Sequence, residues 1–350
     1  REVIDELIVL RSLSDASHKL MENEDSEGDL LQLIDKLPAR NAEPVLSRRY
    51  DRLVNQIGRH LERAGRVEAA VGVYCRAQAT PARERQARIL DRLGKPQAAM
   101  ALCSSIIETP QSEEELEFAQ RFGQRLGIKH GFTSELSFNL PVTKIEQTTI
   151  QVAWLDDSVE ICARAYYQNL GYESYYVENS LIRGLFGLCF WDIIYAPVSG
   201  AFFNPFQRGP VDLYTPDFVG SRRKLISDRF KELKKNGPLR LATAIYREKL
   251  GVANPFVNWM YVDEQLLETA LVKIPSQDLV RIFERLLVDL KNNASGFPDL
   301  IVFDQNGYRM IEIKGPGDKL QKNQARWFRY FLEHSIPAAV VNVEYLDPVS

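Results

Sequence analysis

Two short apolar runs, Leu300-Ile301-Val302-Phe303 and Met310-Ile311-Glu312-Ile313-Lys314, are separated by the turn residues Asp304-Gln305-Asn306-Gly307. Asn-Gly between β-branched runs signals a hairpin, so the chain has to build a sheet around residues 300–314. Side chains on a strand alternate between faces. Glu312 and Lys314 therefore share one face, and Ile311 and Ile313 take the other. A carboxylate and an ammonium side by side on an apolar strand imply a use for both. Asp299 stands at the mouth of the preceding strand and completes an Asp…Glu-Ile-Lys set.

That set has a chemistry. Hard divalent cations such as Mg²⁺ or Mn²⁺ take carboxylate, carbonyl and water oxygens. Asp299 and Glu312 offer two carboxylates, and the Ile313 carbonyl is the natural third oxygen. Lys314, beside them, can orient a water or neutralise a phosphate. Asp299, Glu312 and Lys314 are the expected catalytic residues, and metal-assisted phosphodiester hydrolysis is the reaction that needs this combination.

Composition sets bounds on the rest. With 350 residues, 45% of them hydrophobic and 26% charged, the chain has room for two or three domains with real cores. No apolar run approaches the roughly 20 residues of a membrane span, and no membrane contact is expected. A formal net charge of −3 excludes a uniformly basic coat, so contacts to nucleic acid have to come from local clusters of Lys and Arg. Cys75, Cys103, Cys162 and Cys189 stand singly, without a CxxC pair. They read as buried free thiols in a reducing, intracellular compartment, cytoplasm or nucleoid, or nucleus in a eukaryote. The chain starts at Arg1 without a signal peptide, and a preceding N-terminal part of a longer protein is expected.

Along the chain, residues 1–37 read as helical, with the acidic run Glu22–Asp29 as a solvated loop. From Ser47 to about Gly127 helix follows helix. Arg63-Ala64-Gly65-Arg66-Val67-Glu68-Ala69-Ala70 is echoed by Arg92-Leu93-Gly94-Lys95-Pro96-Gln97-Ala98-Ala99 at a period of 94 − 65 = 29 residues. This indicates a degenerate helical repeat or, alternatively, a plain bundle. Arg83, Arg85 and Arg88 open one of these helices, either as a phosphate site or as an exposed basic face. Gly127–Lys144 reads as a loop and domain boundary. A strand at 149–155, a helix at 158–170 capped by Asp156 or Asp157, and a buried helix beyond Leu181 follow. Asp192 in that buried helix reads as structural. Residues 196–220, rich in Pro, Gly and aromatics, read as an ordered loop, and Ser221-Arg222-Arg223-Lys224 opens a basic helix. Helices at 239–250, 262–272 and 276–293 lead into the hairpin, and a helix at 318–334 and a strand at 338–345 close a β-α-α…β-β-α-β layer fold.

Gly296-Phe297-Pro298-Asp299-Leu300, Glu312-Ile313-Lys314-Gly315-Pro316-Gly317-Asp318-Lys319-Leu320, Gln324 and Trp327 resemble the VRR-NUC branch of the PD-(D/E)xK nucleases. Glu178-Asn179-Ser180, Leu185-Phe186-Gly187-Leu188, Phe190-Trp191-Asp192-Ile193-Ile194, Val211-Asp212-Leu213 and Ser221-Arg222-Arg223 narrow the resemblance to the Fanconi-associated nuclease family, over roughly residues 150–345. It implies a multidomain α and α/β protein. Residues 1–40 would be a helical segment and 41–135 a tetratricopeptide-like domain. Residues 145–350 would form a restriction-endonuclease-like α/β nuclease domain. The implied activity is cleavage of 5′ flaps and 5′-to-3′ degradation in interstrand-crosslink repair, with Mg²⁺ or Mn²⁺ and as a monomer on DNA. Branched DNA with a 5′ flap or a 5′-phosphate end would be the partner.

By the same resemblance Glu178 joins Asp299, Glu312 and Ile313 as a metal ligand. Arg83, Arg85, Arg88, Arg222, Arg223, Lys319 and Gln324 become candidates for DNA contact. The family's DNA-binding SAP module has no recognisable counterpart and is expected ahead of Arg1. A Holliday-junction resolvase is the alternative within the class, although the long insertion between Glu178 and Asp299 argues against the dimer it needs. A non-catalytic repair scaffold is the alternative outside it, and the intact Asp299, Glu312 and Lys314 set argues against that.

Overall fold

The computed structural model describes residues 2–22, 27–132, 145, 147–153, 155–204 and 206–346, with Glu2 and Pro44 described by backbone alone. It divides into two compact units, residues 1–142 and 143–350.

The first unit is helical: α1 (Glu2–Met21), α2 (Glu27–Asp35), α3 (Pro44–Arg63), α4 (Val67–Tyr74), α5 (Ala82–Arg92), α6 (Pro96–Glu108) and α7 (Glu113–His130). From α3 onward each helix packs on the next in the chain. The repeated Gly turns share one geometry. Gly65 and Gly94 adopt φ of 78° and 69°, the left-handed region glycine enters without steric cost. The N–H of Arg66 donates to the Leu61 carbonyl, and that of Lys95 to the Leu90 carbonyl, both at 2.9 Å. Glu27 and Asp29 lie in α2, not in a loop, where their charges complement the helix N-terminus. Residues 23–26 of the same acidic run lie outside the described residues. α7 continues past Gly127 to His130 and ends on left-handed Gly131. The rest of the expected boundary, 133–144, also lies outside the described residues.

The second unit is organised by a five-stranded mixed sheet in the order β1-β5-β4-β3-β2. Its elements run β1 (Gln147–Val152), α8 (Val159–Asn169), β2 (Glu173–Tyr176), α9 (Ser180–Cys189), α10 (Trp191–Ile194), α11 (Asp217–Ser221), α12 (Arg223–Asn236), α13 (Leu239–Lys249), α14 (Glu264–Lys273), α15 (Ser276–Val288), α16 (Leu290–Asn293), β3 (Leu300–Asp304), β4 (Gly307–Lys314), α17 (Lys322–Glu333) and β5 (Ala338–Tyr345). β5 runs parallel to β1 and β4, while β3 runs antiparallel to β4 and β2.

The period-2 alternation of the hairpin is realised. Leu300, Val302, Ile311 and Ile313 pack with Cys162 and Ala163 of α8 on one face. Ile301, Phe303 and Met310 pack with α9, α13 to α15 and α17 on the other. Glu312 and Lys314, in phase with Met310, face this second side. α9 is apolar all round and almost wholly buried, as a helix with no polar stripe must be. Gly184 and Gly187 meet Val262 and Val257 there, where a Cβ would stand 3.2 and 2.8 Å from the valine methyls.

Four local expectations change. β2 is a strand that periodicity did not reveal. Ser158, not Asp156 or Asp157, caps α8, its Oγ accepting from the Ile161 N–H. Asp192 is exposed and paired with Arg229 at 2.8 Å, because α9 ends at Cys189 and α10 turns that residue outward. Of the four cysteines, Cys75 is exposed and the others are buried. Among the described residues, no helix is long and apolar enough to cross a membrane.

Candidate active site

Strand register builds the site. β3 and β4 pair Leu300 with Ile311 and Ile301 with Met310. One step further out, the same register sets Asp299 across from Glu312. β2 and β3 pair Tyr176 with Leu300, and beyond that pair the N–H groups of Val177 and Glu178 both donate to the Asp299 carbonyl, at 2.8 and 2.9 Å. Glu178, two residues past the end of β2, Asp299, one residue before β3, and Glu312 on β4 thus follow one another as a backbone row along this end of the sheet, Glu178 standing one step out of register with Asp299.

Glu178 adopts a φ of 37°, a left-handed conformation that costs a non-glycine residue about 1–3 kcal/mol. The paired bonds to the Asp299 carbonyl hold it there, and the chain leaves the sheet at that point to enter α9.

Each carboxylate is held. Asp299 Oδ2 accepts from the Ile313 N–H at 2.9 Å. Glu312 is 1% exposed, and its Oε1 accepts from Lys314 Nζ at 2.7 Å and Gln324 Nε2 at 2.5 Å. Glu178 accepts from Tyr176 Oη at 3.0 Å and from Asn179 Nδ2 at 3.2 Å. Asn179 Oδ1 in turn accepts from the N–H groups of Gly296 and Phe297, which ties the Glu178 segment to the approach to Asp299.

Burial and neighbouring negative charge raise both carboxyls. Burial, countered by the Ile313 hydrogen bond and reinforced by the charges of Glu160 and Glu178, pushes Asp299 from 3.8 to about 6. Burial and the Asp299 charge push Glu312 from 4.5 to about 7, against the pull of Lys314. Glu312 Oε2 is buried without a partner among the described residues, a cost that a metal or a proton would relieve. The oxygen-only donor set suits a hard divalent ion. Among the described residues, however, no three acidic, His or Cys side chains are already gathered around one point. Glu178 is turned toward Tyr176 and Asn179, and Glu312 Oε1 toward Lys314 and Gln324.

The structure thus brings Asp299, Glu312, Ile313 and Lys314 together and sets Glu178 beside them. Gln324, a candidate for DNA contact, orients Glu312. Its Oε1 accepts from the Gln321 N–H at 2.8 Å in a capping box, which fixes the amide that reaches the carboxylate. Sequence reasoning missed two contributors, Asn179 and Glu160 of α8. Only the Glu-Asn-Ser string hinted at the first, and nothing local marked the second.

The arginines fare differently. Arg222 is 1% exposed. Its guanidinium binds Asp212 at 2.7 Å and the Ile193 carbonyl at 3.0 Å, which holds it inside the fold. Its exposed neighbour Arg223 points away from that core, and Lys319 is exposed after the Gly-Pro-Gly-Asp turn. In the helical unit Arg83 pairs with fully buried Glu115 at 2.6 Å and Arg85 with Glu62 at 3.0 Å. Arg88 lies over the Phe118 ring at 4.6 Å. The three do not form a group of uncommitted cations.

Comparison with known proteins agrees with this architecture. Residues 234–345 match the VRR-NUC domain model. The Fanconi-associated nuclease 1 homolog of Pseudomonas aeruginosa is 36% identical over 321 residues, 90% of this chain and 57% of that protein. The Schizosaccharomyces pombe homolog is 33% identical over 190 residues, 53% of this chain and 27% of that one. A crystal structure of paFAN1 bound to DNA with a 2-nt 5′ flap and a gap superposes with a TM-score of 0.85 at 34% identity, over 98% of this chain and 63% of that one. The chain spans less than two thirds of the length of these relatives. The chain is thus similar to the Fanconi-associated nucleases over nearly its whole length, and its residues 234–345 match their VRR-NUC domain.

Proposed function

We propose that the chain is a structure-specific DNA nuclease that cuts 5′ flaps and degrades 5′-to-3′ with Mg²⁺ or Mn²⁺, in interstrand-crosslink repair. The observation that carries this reading is the backbone row of Glu178, Asp299 and Glu312 at one end of the sheet, with Lys314 Nζ 2.7 Å from Glu312. The relatives are nucleases by name, and the similar solved chain is bound to 5′-flap DNA, which supports branched DNA as the substrate.

Asp299, Glu312, the Ile313 carbonyl and Glu178 would hold the metal. Bound there, the ion supplies charge stabilisation at the phosphate and an acidified water. Lys314 neutralises the phosphate and orients the attacking water, its ammonium steered by Glu312. Gln324 keeps Glu312 from swinging away. Water adds to phosphorus, the bond to the leaving oxygen breaks, and that oxygen takes up a proton. The helical unit, read as tetratricopeptide-like, would act on which bond is presented.

The test offers a 5′-flap duplex and a four-way junction with Mn²⁺ to the chain and to Asp299→Ala. Flap incision should fall at least about 100-fold in the variant. Equal cutting by both proteins would sink the site assignment, and symmetric junction cleavage would point to a resolvase.

A further inference from the structure

Beside the carboxylate row, residues 176–180, Arg183, Arg208 and residues 253–261 enclose a pocket of about 680 Å³, a size typical of ligand sites. Glu178 belongs to its wall and is the one acidic residue among the described residues that line it. The pocket therefore opens next to the site proposed for catalysis.

The lining is built for one kind of ligand. Arg183 Nη2 donates to the Pro255 carbonyl at 3.0 Å, while its buried Nε has no partner among the described residues. Exposed Arg208 reaches the Asn254 carbonyl at 3.5 Å. Asn254 is 1% exposed. Its Oδ1 accepts from the N–H groups of Phe256 and Val257 at 2.8 and 3.3 Å, but its Nδ2 has no partner among the described residues. Trp259, Met260 and Tyr261 complete the wall, Met260 90% and Tyr261 50% exposed. Two guanidinium groups and an open aromatic–thioether surface match a phosphate and a base face.

We propose that this pocket holds one nucleotide of the cleaved strand next to the scissile phosphate. Its phosphate lies on Arg183 and Arg208 and its base against Trp259, Met260 and Tyr261. The inference rests on the nuclease reading and deepens it, because it makes single-stranded character at one position a condition for cutting.

The test places 2-aminopurine at successive positions across the single-strand junction of a 5′-flap substrate, bound without added metal. The proteins are the whole chain, Asp299→Ala, Arg208→Ala and a Met260→Ala/Tyr261→Ala double variant, each checked by its thermal melt. One position should change fluorescence on binding to the whole chain and to Asp299→Ala. At that position affinity should fall about tenfold in the double variant, and in Arg208→Ala the salt dependence of binding should shallow. An abasic residue there should slow cutting by the whole chain about tenfold and leave the double variant unaffected. Equal signals at all positions, or the same signal in chain and double variant, would overturn the pocket while cutting of the unmodified flap left the nuclease reading intact. A position-specific signal without any flap cutting would do the reverse.

Discussion

Asp299 and Glu312 lie opposite one another at the open end of two strands, each held above its ordinary carboxyl range by burial. A carboxyl whose folded value is raised binds more protons folded than unfolded between its two values. The stability it contributes is present in full below about 4 and is lost as pH rises through about 6 for Asp299 and 7 for Glu312. In metal-free protein, the melting temperature of Glu312→Gln relative to the unmodified chain should therefore improve from pH 5 to pH 8. Adding Mg²⁺ to the unmodified chain at pH 7 should release protons, measurable by titration calorimetry in buffers of different ionisation enthalpy. An equal melting difference at the two pH values would contradict the burial argument. Gln324 gives a second prediction at this scale. Gln324→Ala frees Glu312 Oε1 from one of its two donors and removes half of the capping box, so metal affinity should fall about 10-fold, as when a supporting hydrogen bond to a ligand is removed. Unchanged metal affinity would show that Lys314 alone orients Glu312.

At the scale of elements, two connections decide whether the row forms. Gly296 adopts a φ of 91° and stands where a Cβ would come within 2.9 Å of the Asn323 backbone. This turn delivers Gly296 and Phe297 to Asn179 and then Asp299 to the sheet. Gly296→Ala should destabilise the protein by about 1–3 kcal/mol, and a melt unchanged from the parent would mean that the turn relaxes freely. α12 is the other connection. Arg222, Ile226, Arg229 and Leu233 follow helical spacing along its inner face, the two arginines meeting Asp212 and Asp192. Arg222→Ala should cost about 3–5 kcal/mol because it leaves Asp212 without its partner. A variant that melts like the parent but binds DNA poorly would restore Arg222 to the DNA interface.

The legibility of these elements followed the range of their physics. The hairpin and the Asp299, Glu312 and Lys314 set could be read because turn chemistry and period-2 alternation act over a few residues. β2 is four residues long, and its strand character comes from pairing with β3 more than a hundred residues away, so no local pattern announced it. Arg222 shows a different limit: its position on the inward stripe was visible in the spacing to Ile226 and Leu233, but nothing local announced that Asp212 and the Ile193 carbonyl would hold its guanidinium.

For the whole molecule, a net charge of −3 means that attraction to DNA must come from local patches. The 5′-flap affinity of the chain should fall steeply with salt, and Arg223→Ala, at an exposed site, should reduce the slope by about one. A flat salt response would rule out phosphate contacts as the main source of binding.

The row across the sheet also has a consequence for when the protein is dangerous. Asp299 receives β2 on its carbonyl and β4 on its carboxylate, and Glu178 precedes it by 299 − 178 = 121 residues. Contacts of such sequence separation close late in folding. Nascent, partly folded or proteolysed chains would lack one edge of the row, so for the nuclease proposed above the means to cut would come only with the finished sheet. Completion of the fold would then be its own safety catch.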